Sequence, residues 1–152
     1  MDILELLKND HDTIREMISE LIGISEERVQ ERVDLFSELE KELRLHTKAE
    51  EDVYYPYLER NDDTRQNVYE AIEEHAVIEW LVEQLENRSV LDERWTAQLK
   101  VLDEIVEHHL QEEERDLFEA TYGILNQEQR EEVGSRFSIR KAEGEDEMRM
   151  AA

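Results

Sequence analysis

Two copies of one short motif carry residue types that could bind a metal. Each copy reads His-x-x-x-Glu-Glu, at residues 46–51 and 109–114, and the copies are 63 positions apart (109 − 46). Residues four apart in a helix lie on one face, with Cβ atoms about 5–6 Å apart. An imidazole and a carboxylate placed in this way could bind one metal ion or bridge two.

A second pair of motifs surrounds the first. His11-x-x-Ile14 recurs as His75-x-x-Ile78, with an offset of 64 (75 − 11), so four of the 5 histidines fall on a repeat. A single buried His is usually a core residue with both ring nitrogens hydrogen-bonded. Four of them on inward helical faces favour a shared metal site instead, and such donors suit iron, manganese, zinc or copper. The predicted ligands are His11, His46, Glu50, His75, His109 and Glu113.

The residues next to these ligands need a separate interpretation. His108 directly precedes His109, and successive helical residues point about 100° apart, so His108 is predicted to lie outside the ligand set. Glu51 and Glu114 also turn away from the cavity. We expect them either to face solvent or to hydrogen-bond a ligand imidazole.

The repeat is broken where Arg15 of the first copy corresponds to Glu79 of the second. Either Glu79 is an additional carboxylate ligand, or the two residues form an ion pair that closes the cavity. We favour the ion pair.

Tyr54 lies four residues after Glu50 and shares its helical face. It is either an aromatic core residue with a satisfied hydroxyl or a hydrogen-bond donor to a ligand at the metal. Tyr55 is predicted to be a packing residue, and lining the access to the metal is the alternative.

The chain that must position these side chains is predicted to be all-α. Its 152 residues include only 4 Gly and 1 Pro, and its apolar residues recur with helical spacing. Pro56 is expected to kink or end the second helix. The predicted helices span residues 2–22, 27–55, 64–87, 92–121 and 127–141, followed by a frayed end from residue 143.

Four long helices with short connections pack best as an up-down-up-down antiparallel four-helix bundle. We expect residues 1–123 to form this bundle and residues 124–152 to form a short additional C-terminal helix with a flexible acidic tail. In such a bundle the two halves of the sequence repeat are related by approximate two-fold symmetry.

Composition excludes several other classes of function. The chain has no Cys, so neither a disulfide framework nor a thiolate metal site can form. Its net charge of −24 argues against nucleic acid or an anionic membrane as a partner. We find no signal peptide and no run long enough to span a membrane, and we therefore expect a cytoplasmic protein. The sequence leaves a monomer and a homodimer open.

The order of these motifs resembles the hemerythrin-like, or HHE cation-binding, domains. The similarity covers roughly residues 4–122 and includes the segment Glu50-Glu51-Asp52-Val53-Tyr54-Tyr55-Pro56. The resemblance implies a four-helix bundle with two non-haem iron ions, joined by an oxo or hydroxo bridge. The same six residues would be the ligands, with Glu50 and Glu113 bridging the irons.

One departure from the family bears on function. The oxygen carriers of the family have a second His four residues after the third-helix ligand, where this chain has Glu79. The chain therefore looks more like the bacterial single-domain members, which bind or react with O2, peroxide or NO at an open coordination position, in oxidative or nitrosative stress. Whether turnover occurs is left open, and the alternatives are iron storage or delivery and a gas- or redox-sensing module.

Overall fold

The computed structural model describes residues 1–152 and contains helices and no strand. Two short π-helical turns interrupt the α-helices: π-turn 1 is Glu50–Tyr54 and π-turn 2 is Glu113–Leu117. None of the helices combines the length and the apolar character that crossing a membrane requires. The α-helices are α1 (Ile3–Gly23), α2 (Val29–Ala49), α3 (Tyr55–Glu59), α4 (Arg65–Glu86), α5 (Glu93–Glu112), α6 (Phe118–Ile124) and α7 (Gln127–Ala151).

These helices form five long arms. Arm 1 is α1, arm 2 runs from α2 through π-turn 1 to α3, and arm 3 is α4. Arm 4 runs from α5 through π-turn 2 to α6, and arm 5 is α7. Arm 1 contacts α2, α5 and α7, and α4 packs against α5 and α2. The fold is therefore all-helical, as predicted.

Polar side chains define where three of the arms begin. The Asp2 carboxylate accepts a hydrogen bond from the backbone N–H of Leu4 at 2.8 Å, and Asp92 caps α5 in the same way. At the start of α7, Asn126 and Gln129 each accept a hydrogen bond from the other's backbone N–H. These bonds satisfy N–H groups that have no partner within the helix.

Each π-turn starts at a predicted ligand glutamate. The backbone N–H of Tyr55 donates to the carbonyl of Glu50, and that of Phe118 donates to the carbonyl of Glu113. This five-residue spacing adds one residue to the helical turn and rotates everything that follows it. Pro56 does not end arm 2, because it falls in the first turn of α3, where a missing N–H costs little.

The core is divided into two apolar clusters by a polar layer. One cluster has 16 buried residues, which include Trp95, and the second has 14, which include Tyr54 and Phe137. Along every one of arms 1 to 4, the predicted ligands lie between residues of the two clusters. In arm 1, for example, His11 lies between Leu7 and Ile14. The site is thus enclosed by apolar packing at both ends.

Arm 5 is longer than the sequence indicated. It continues past Lys141 to Ala151, so the residues that were expected to fray are helical. It packs against α1, α2 and π-turn 1 through the buried side chains Val133 and Phe137. Ion pairs to the other arms, such as Arg130–Asp2 at 2.7 Å, hold it in place.

Candidate metal centre

The structure brings all six predicted ligands into one buried layer. Each is at most 5% exposed, and they come from four different arms. Their ligand atoms form two groups of four, and within each group all atoms lie within 4.8 Å of one another. Both groups contain Glu50 and Glu113.

Site A consists of His11, His46 and the two shared carboxylates. The Nε2 atom of His11 lies 3.2 Å from Oε1 of Glu113, and Nε2 of His46 lies 3.0 Å from Oε1 of Glu50. The two imidazoles meet edge to face, with ring centroids 5.0 Å apart.

Site B consists of His75, His109 and the same carboxylates. The Nε2 atoms of the two imidazoles are 3.1 Å apart, and Nε2 of His75 is 3.3 Å from Oε1 of Glu50. Nε2 of His109 is 3.6 Å from Oε2 of Glu113. Two carboxylates shared between two pairs of imidazoles could supply the donors for two metal ions.

The hydrogen bonding of these residues fits a cation. Buried polar atoms are nearly always hydrogen-bonded, and an unpaired one costs about 1–3 kcal/mol. Five atoms here have no hydrogen-bond partner in the protein: His11 Nε2, His46 Nε2, both carboxylate oxygens of Glu50, and Oε1 of Glu113. All five face the two sites, and a metal ion would satisfy them.

In each of the four histidines of the two sites, the Nδ1 atom, which faces away from the site, is hydrogen-bonded to a carboxylate from a neighbouring arm. Such a bond fixes the orientation and the tautomer of a metal-binding His. Arm 1 supports the His of arm 2, arm 2 that of arm 3, arm 3 that of arm 4, and arm 4 that of arm 1. The four Nδ1–carboxylate pairs are His46–Asp10 at 2.8 Å, His75–Glu51 at 2.9 Å, His109–Glu74 at 2.8 Å and His11–Glu114 at 2.7 Å.

Half of this ring of four pairs, which we call the carboxylate ring, was expected from the sequence. Glu51 and Glu114 hydrogen-bond ligand imidazoles, which is one of the two roles predicted for them. Asp10 and Glu74 were missed. The repeat did contain the signal, because an acidic residue directly precedes the single His of each copy.

The sequence model of the hemerythrin HHE cation-binding domain matches residues 2–121. The chain belongs to this family. A crystal structure of an HHE cation-binding domain-containing protein from Mycobacterium kansasii superposes with a TM-score of 0.84. The two sequences are 25% identical, over 95% of this chain and 87% of the other.

A curated relative from Nostoc sp. (strain PCC 7120) is named DNA nickase. It is 28% identical over 143 residues, which are 93% of this chain. The HHE chain spans only about 40% of the length of that relative.

The tyrosine that reaches the centre of this HHE domain is Tyr55, not Tyr54. The Tyr55 hydroxyl donates to Oε2 of Glu113 at 2.5 Å and lies 3.3 Å from Nε2 of His75. The Tyr54 hydroxyl is instead bonded to Thr121 Oγ1 at 2.6 Å. The prediction that Tyr55 only packs was wrong, because π-turn 1 shifts the helical register by one residue.

The predicted ion pair between Arg15 and Glu79 is absent. Arg15 pairs with Glu107 and Glu114, each at 2.9 Å, whereas Glu79 pairs with Arg44 at 3.0 Å. The repeat places the two residues on equivalent faces of α1 and α4, which look towards different neighbours. Glu79 also lies outside both sites and is not an additional ligand.

His108 lies outside the ligand set, as predicted. Its side chain is 65% exposed, and its Nε2 is 3.1 Å from Oε1 of Glu112 and 3.8 Å from Oε2 of Glu74.

In the metal-free protein, the charged groups of the site raise the pKa values of several of its residues. Burial lowers the pKa of His46, but the charge of Glu50 and the hydrogen bond to Asp10 outweigh it and raise this pKa to about 10. Burial also lowers the pKa of His75, but the neighbouring carboxylates of Glu50 and Glu51 outweigh it and raise this pKa to about 9. Burial and the charge of Glu50 raise the pKa of Glu113.

One large cavity reaches the centre from outside. It has a volume of about 560 Å³ and lies between α2, α4 and α7. Its wall includes Glu51 and the site B residue His75. Arg140 and Met148 of α7 form part of its wall. A small molecule could therefore come up to His75, at the outer edge of site B.

Proposed function

We propose that this HHE domain is a non-haem diiron protein that binds or reacts with O2, peroxide or NO. The observation that supports the proposal most is the pair of four-residue groups that share Glu50 and Glu113. A donor set of imidazoles and carboxylates suits iron. The five buried atoms without protein partners supply the positions at which two ions would be held.

The chain's own residues prepare the site for small ligands. His11 and His46 would hold one ion, His75 and His109 the other, and both carboxylates would contact both ions. Iron held there would supply the redox chemistry, since it can exchange electrons with O2, peroxide or NO. The apolar clusters on both sides of the layer exclude bulk water.

Tyr55 gives site B a hydrogen-bond donor that site A lacks. Its hydroxyl donates to Glu113 and lies beside His75, near the wall of the large cavity. Burial, and then the charge of Glu113, raise the pKa of Tyr55 well above its usual range, so the phenol keeps its proton. We propose that small ligands approach site B past this hydroxyl.

We also propose the topology and division that the sequence predicts. Arms 1 to 4 would run up-down-up-down as an antiparallel bundle within residues 1–123, and residues 124–152 would add a C-terminal helix to it. The ligand layer at the middle of every arm supports this arrangement, since it needs all four arms side by side.

The test is iron binding and its spectrum. Metal-free protein is loaded with Fe²⁺ under anaerobic conditions, and absorption is recorded before and after O2, peroxide or NO is admitted. We expect two irons per chain and a new near-ultraviolet band on exposure. His46→Ala and Glu113→Ala should abolish both results, whereas His108→Ala is the matched control and should keep them. Binding of two irons with no spectral response to any of the three ligands would contradict the proposal.

Iron storage or delivery is the second candidate, and the net charge of −24 favours it because an acidic surface attracts cations. This function predicts more than two irons per chain and their release to a chelator without unfolding. A sensing module would instead change its spectrum without consuming peroxide.

A further inference from the structure

A second cluster of metal-binding residue types lies on the surface between α4 and α5. It consists of Glu74, His108 and Glu112, whose ligand atoms all lie within 4.8 Å of one another. The exposed imidazole of His108 makes the cluster reachable from solvent. One imidazole and two carboxylates form a donor set for divalent cations.

A small cavity joins this cluster to the buried centre. It has a volume of about 40 Å³ and is lined by Glu74 and Glu112 of the cluster and by His109 and Glu113 of site B. Glu113 is 1% exposed, and its Oε1 atom has no hydrogen-bond partner in the protein. This oxygen lies 3.2 Å from Nε2 of His11, so the cation that it indicates belongs to the buried centre, where the path ends. The volume exceeds the roughly 10–15 Å³ that a single water needs.

The Glu74 carboxylate lies between a residue of the buried centre and a residue of the surface. Its Oε1 atom is 2.8 Å from Nδ1 of His109, and its Oε2 atom is 3.8 Å from Nε2 of His108. Glu70 and Asp116 add two more carboxylates to the wall of the cavity. A cation would therefore meet negative groups from the surface to Glu113.

The equivalent face of the other half of the repeat lacks such a cluster. There the counterparts of His108 and Glu112, 63 residues earlier, are Leu45 and Ala49, which are only 5% and 1% exposed. The counterpart of Glu74 is Asp10, and the ammonium group of Lys141 in α7 lies 2.8 Å from its Oδ1. The lysine ammonium and two apolar side chains thus stand at the positions where the cluster between α4 and α5 has an imidazole and a carboxylate open to a cation.

We propose that Glu74, His108 and Glu112 form a loading site, where a divalent cation binds before it passes to the buried centre through the cavity at Glu113. This inference rests on the proposed metal-binding function. It assigns the surface cluster a role in the rate of uptake and none in the final occupancy.

The test measures how fast the full-length, metal-free protein takes up Co²⁺, whose visible absorption reports binding by imidazoles and carboxylates. The variants are His108→Ala, Glu112→Gln and the double variant. Glu104→Gln is the matched control, because it removes the same charge as Glu112→Gln from an exposed position one turn before His108. We expect the double variant to load roughly tenfold more slowly, since charge steering raises association rates by about 10–1,000-fold. The control should load at nearly the rate of the unaltered chain.

The final amount of Co²⁺ per chain should be the same in all of these proteins. A double variant that loads as fast as Glu104→Gln would overturn the loading site and leave the proposed function intact. A lower final occupancy at an unchanged rate would overturn it too, because the cluster would then contribute to equilibrium binding. If the unaltered chain takes up neither Co²⁺ nor Fe²⁺ in its centre, the proposed function itself fails, and the loading site fails with it.

Discussion

A single hydroxyl group distinguishes the two sites of the centre. Tyr55 stacks on His75 of site B with centroids 5.4 Å apart, and Phe118, 63 residues later, stacks on His11 of site A in the same way. Only the tyrosine can donate a hydrogen bond, and it donates to Glu113. Sites A and B therefore differ chemically, although each consists of two imidazoles and the same two carboxylates.

Replacing Tyr55 should change the chemistry of site B. Tyr55→Phe leaves the ring stacked on His75 but removes the donor to Glu113, and loss of such a supporting bond lowers metal affinity about 10–100-fold. We expect weaker binding of the second metal equivalent and an altered absorption spectrum of the iron-loaded protein. Both can be measured by titration with Fe²⁺ followed by exposure to peroxide.

The matched control is Tyr54→Phe, which removes only the bond to Thr121. It should lower thermal stability without changing metal affinity. Equal effects of both substitutions on metal binding would show that the Tyr55 hydroxyl has no special role.

The raised pKa values of His46 and His75, about 10 and about 9, predict how stability depends on pH. Unfolded His has a pKa near 6.5, so between pH 6.5 and 9 the metal-free native state binds more protons than the unfolded state. Its stability is fully present below pH 6.5 and should fall as pH rises, by about 1.4 kcal/mol per pH unit for each extra proton.

Metal should reverse this dependence. Imidazole binds metal only when neutral, so a higher pH favours the metal-loaded native state. Urea unfolding at pH 7, 8 and 9, with a chelator or with Mn²⁺, measures both slopes. Parallel slopes with and without metal would contradict the assignment of these imidazoles as ligands.

The sequence predicted which residue types meet, but not every contact between them. The six residues of the centre could be identified because they form three pairs of the same residue type, and the members of each pair are 63 or 64 positions apart. Tyr55 could not, because a regular helix of 3.6 residues per turn places Tyr54 on that face. Arg15 and Glu79 were paired wrongly, because a repeat shows which faces are equivalent and not which neighbours they meet.

At the level of helices, arm 5 depends on a close approach to the start of the chain. A Cβ atom on Gly134 would overlap the backbone carbonyl oxygen of Met1 and lie 3.1 Å from the backbone nitrogen of Ile3. Asp2 caps α1 and pairs with Arg130 of α7, so this segment cannot move without losing those bonds. Glycine is required here by contact and not by backbone dihedrals.

Gly134→Ala should therefore lower the free energy of unfolding by about 1–3 kcal/mol, as other overpacking substitutions do. The control is Gly123→Ala, where no atom lies within 4 Å of the added methyl group. That change should raise stability by up to about 1 kcal/mol, because alanine favours helix. Chemical denaturation measures the free energy of unfolding of both variants. Similar stabilities for both would mean that α7 does not pack closely on the N-terminus.

The helices of arms 1 to 4 could be predicted from their apolar spacing, but the length of arm 5 could not. Residues 143–151 have little apolar content, and they are held instead by contacts with other parts of the chain. Lys41 pairs with Glu145 at 2.8 Å, and Gly144 lies against Leu45. Such contacts depend on tertiary structure and leave no periodic signal in the sequence.

At the scale of the whole molecule, the net charge of −24 predicts weak binding to nucleic acid, whereas the Nostoc relative is named DNA nickase. The chain has 42 acidic and 18 basic residues, and phosphate backbones repel such a surface. We therefore expect supercoiled plasmid to stay intact with both metal-free and iron-loaded protein at physiological salt. Nicking that needs the iron-loaded centre, and that His46→Ala abolishes, would show this expectation to be wrong.

The carboxylate ring has a consequence for the two halves of the chain. Two of its pairs, His46–Asp10 and His109–Glu74, form within one repeat, and the other two join one repeat to the other. A half-length chain of a single repeat would thus leave one imidazole and one carboxylate unmatched. Two identical half-chains related by a two-fold axis would pair both of these groups and form the same carboxylate ring. The two halves of the chain are therefore equivalent in the carboxylate ring, although they differ at Tyr55 and Phe118 and at His108 and Leu45.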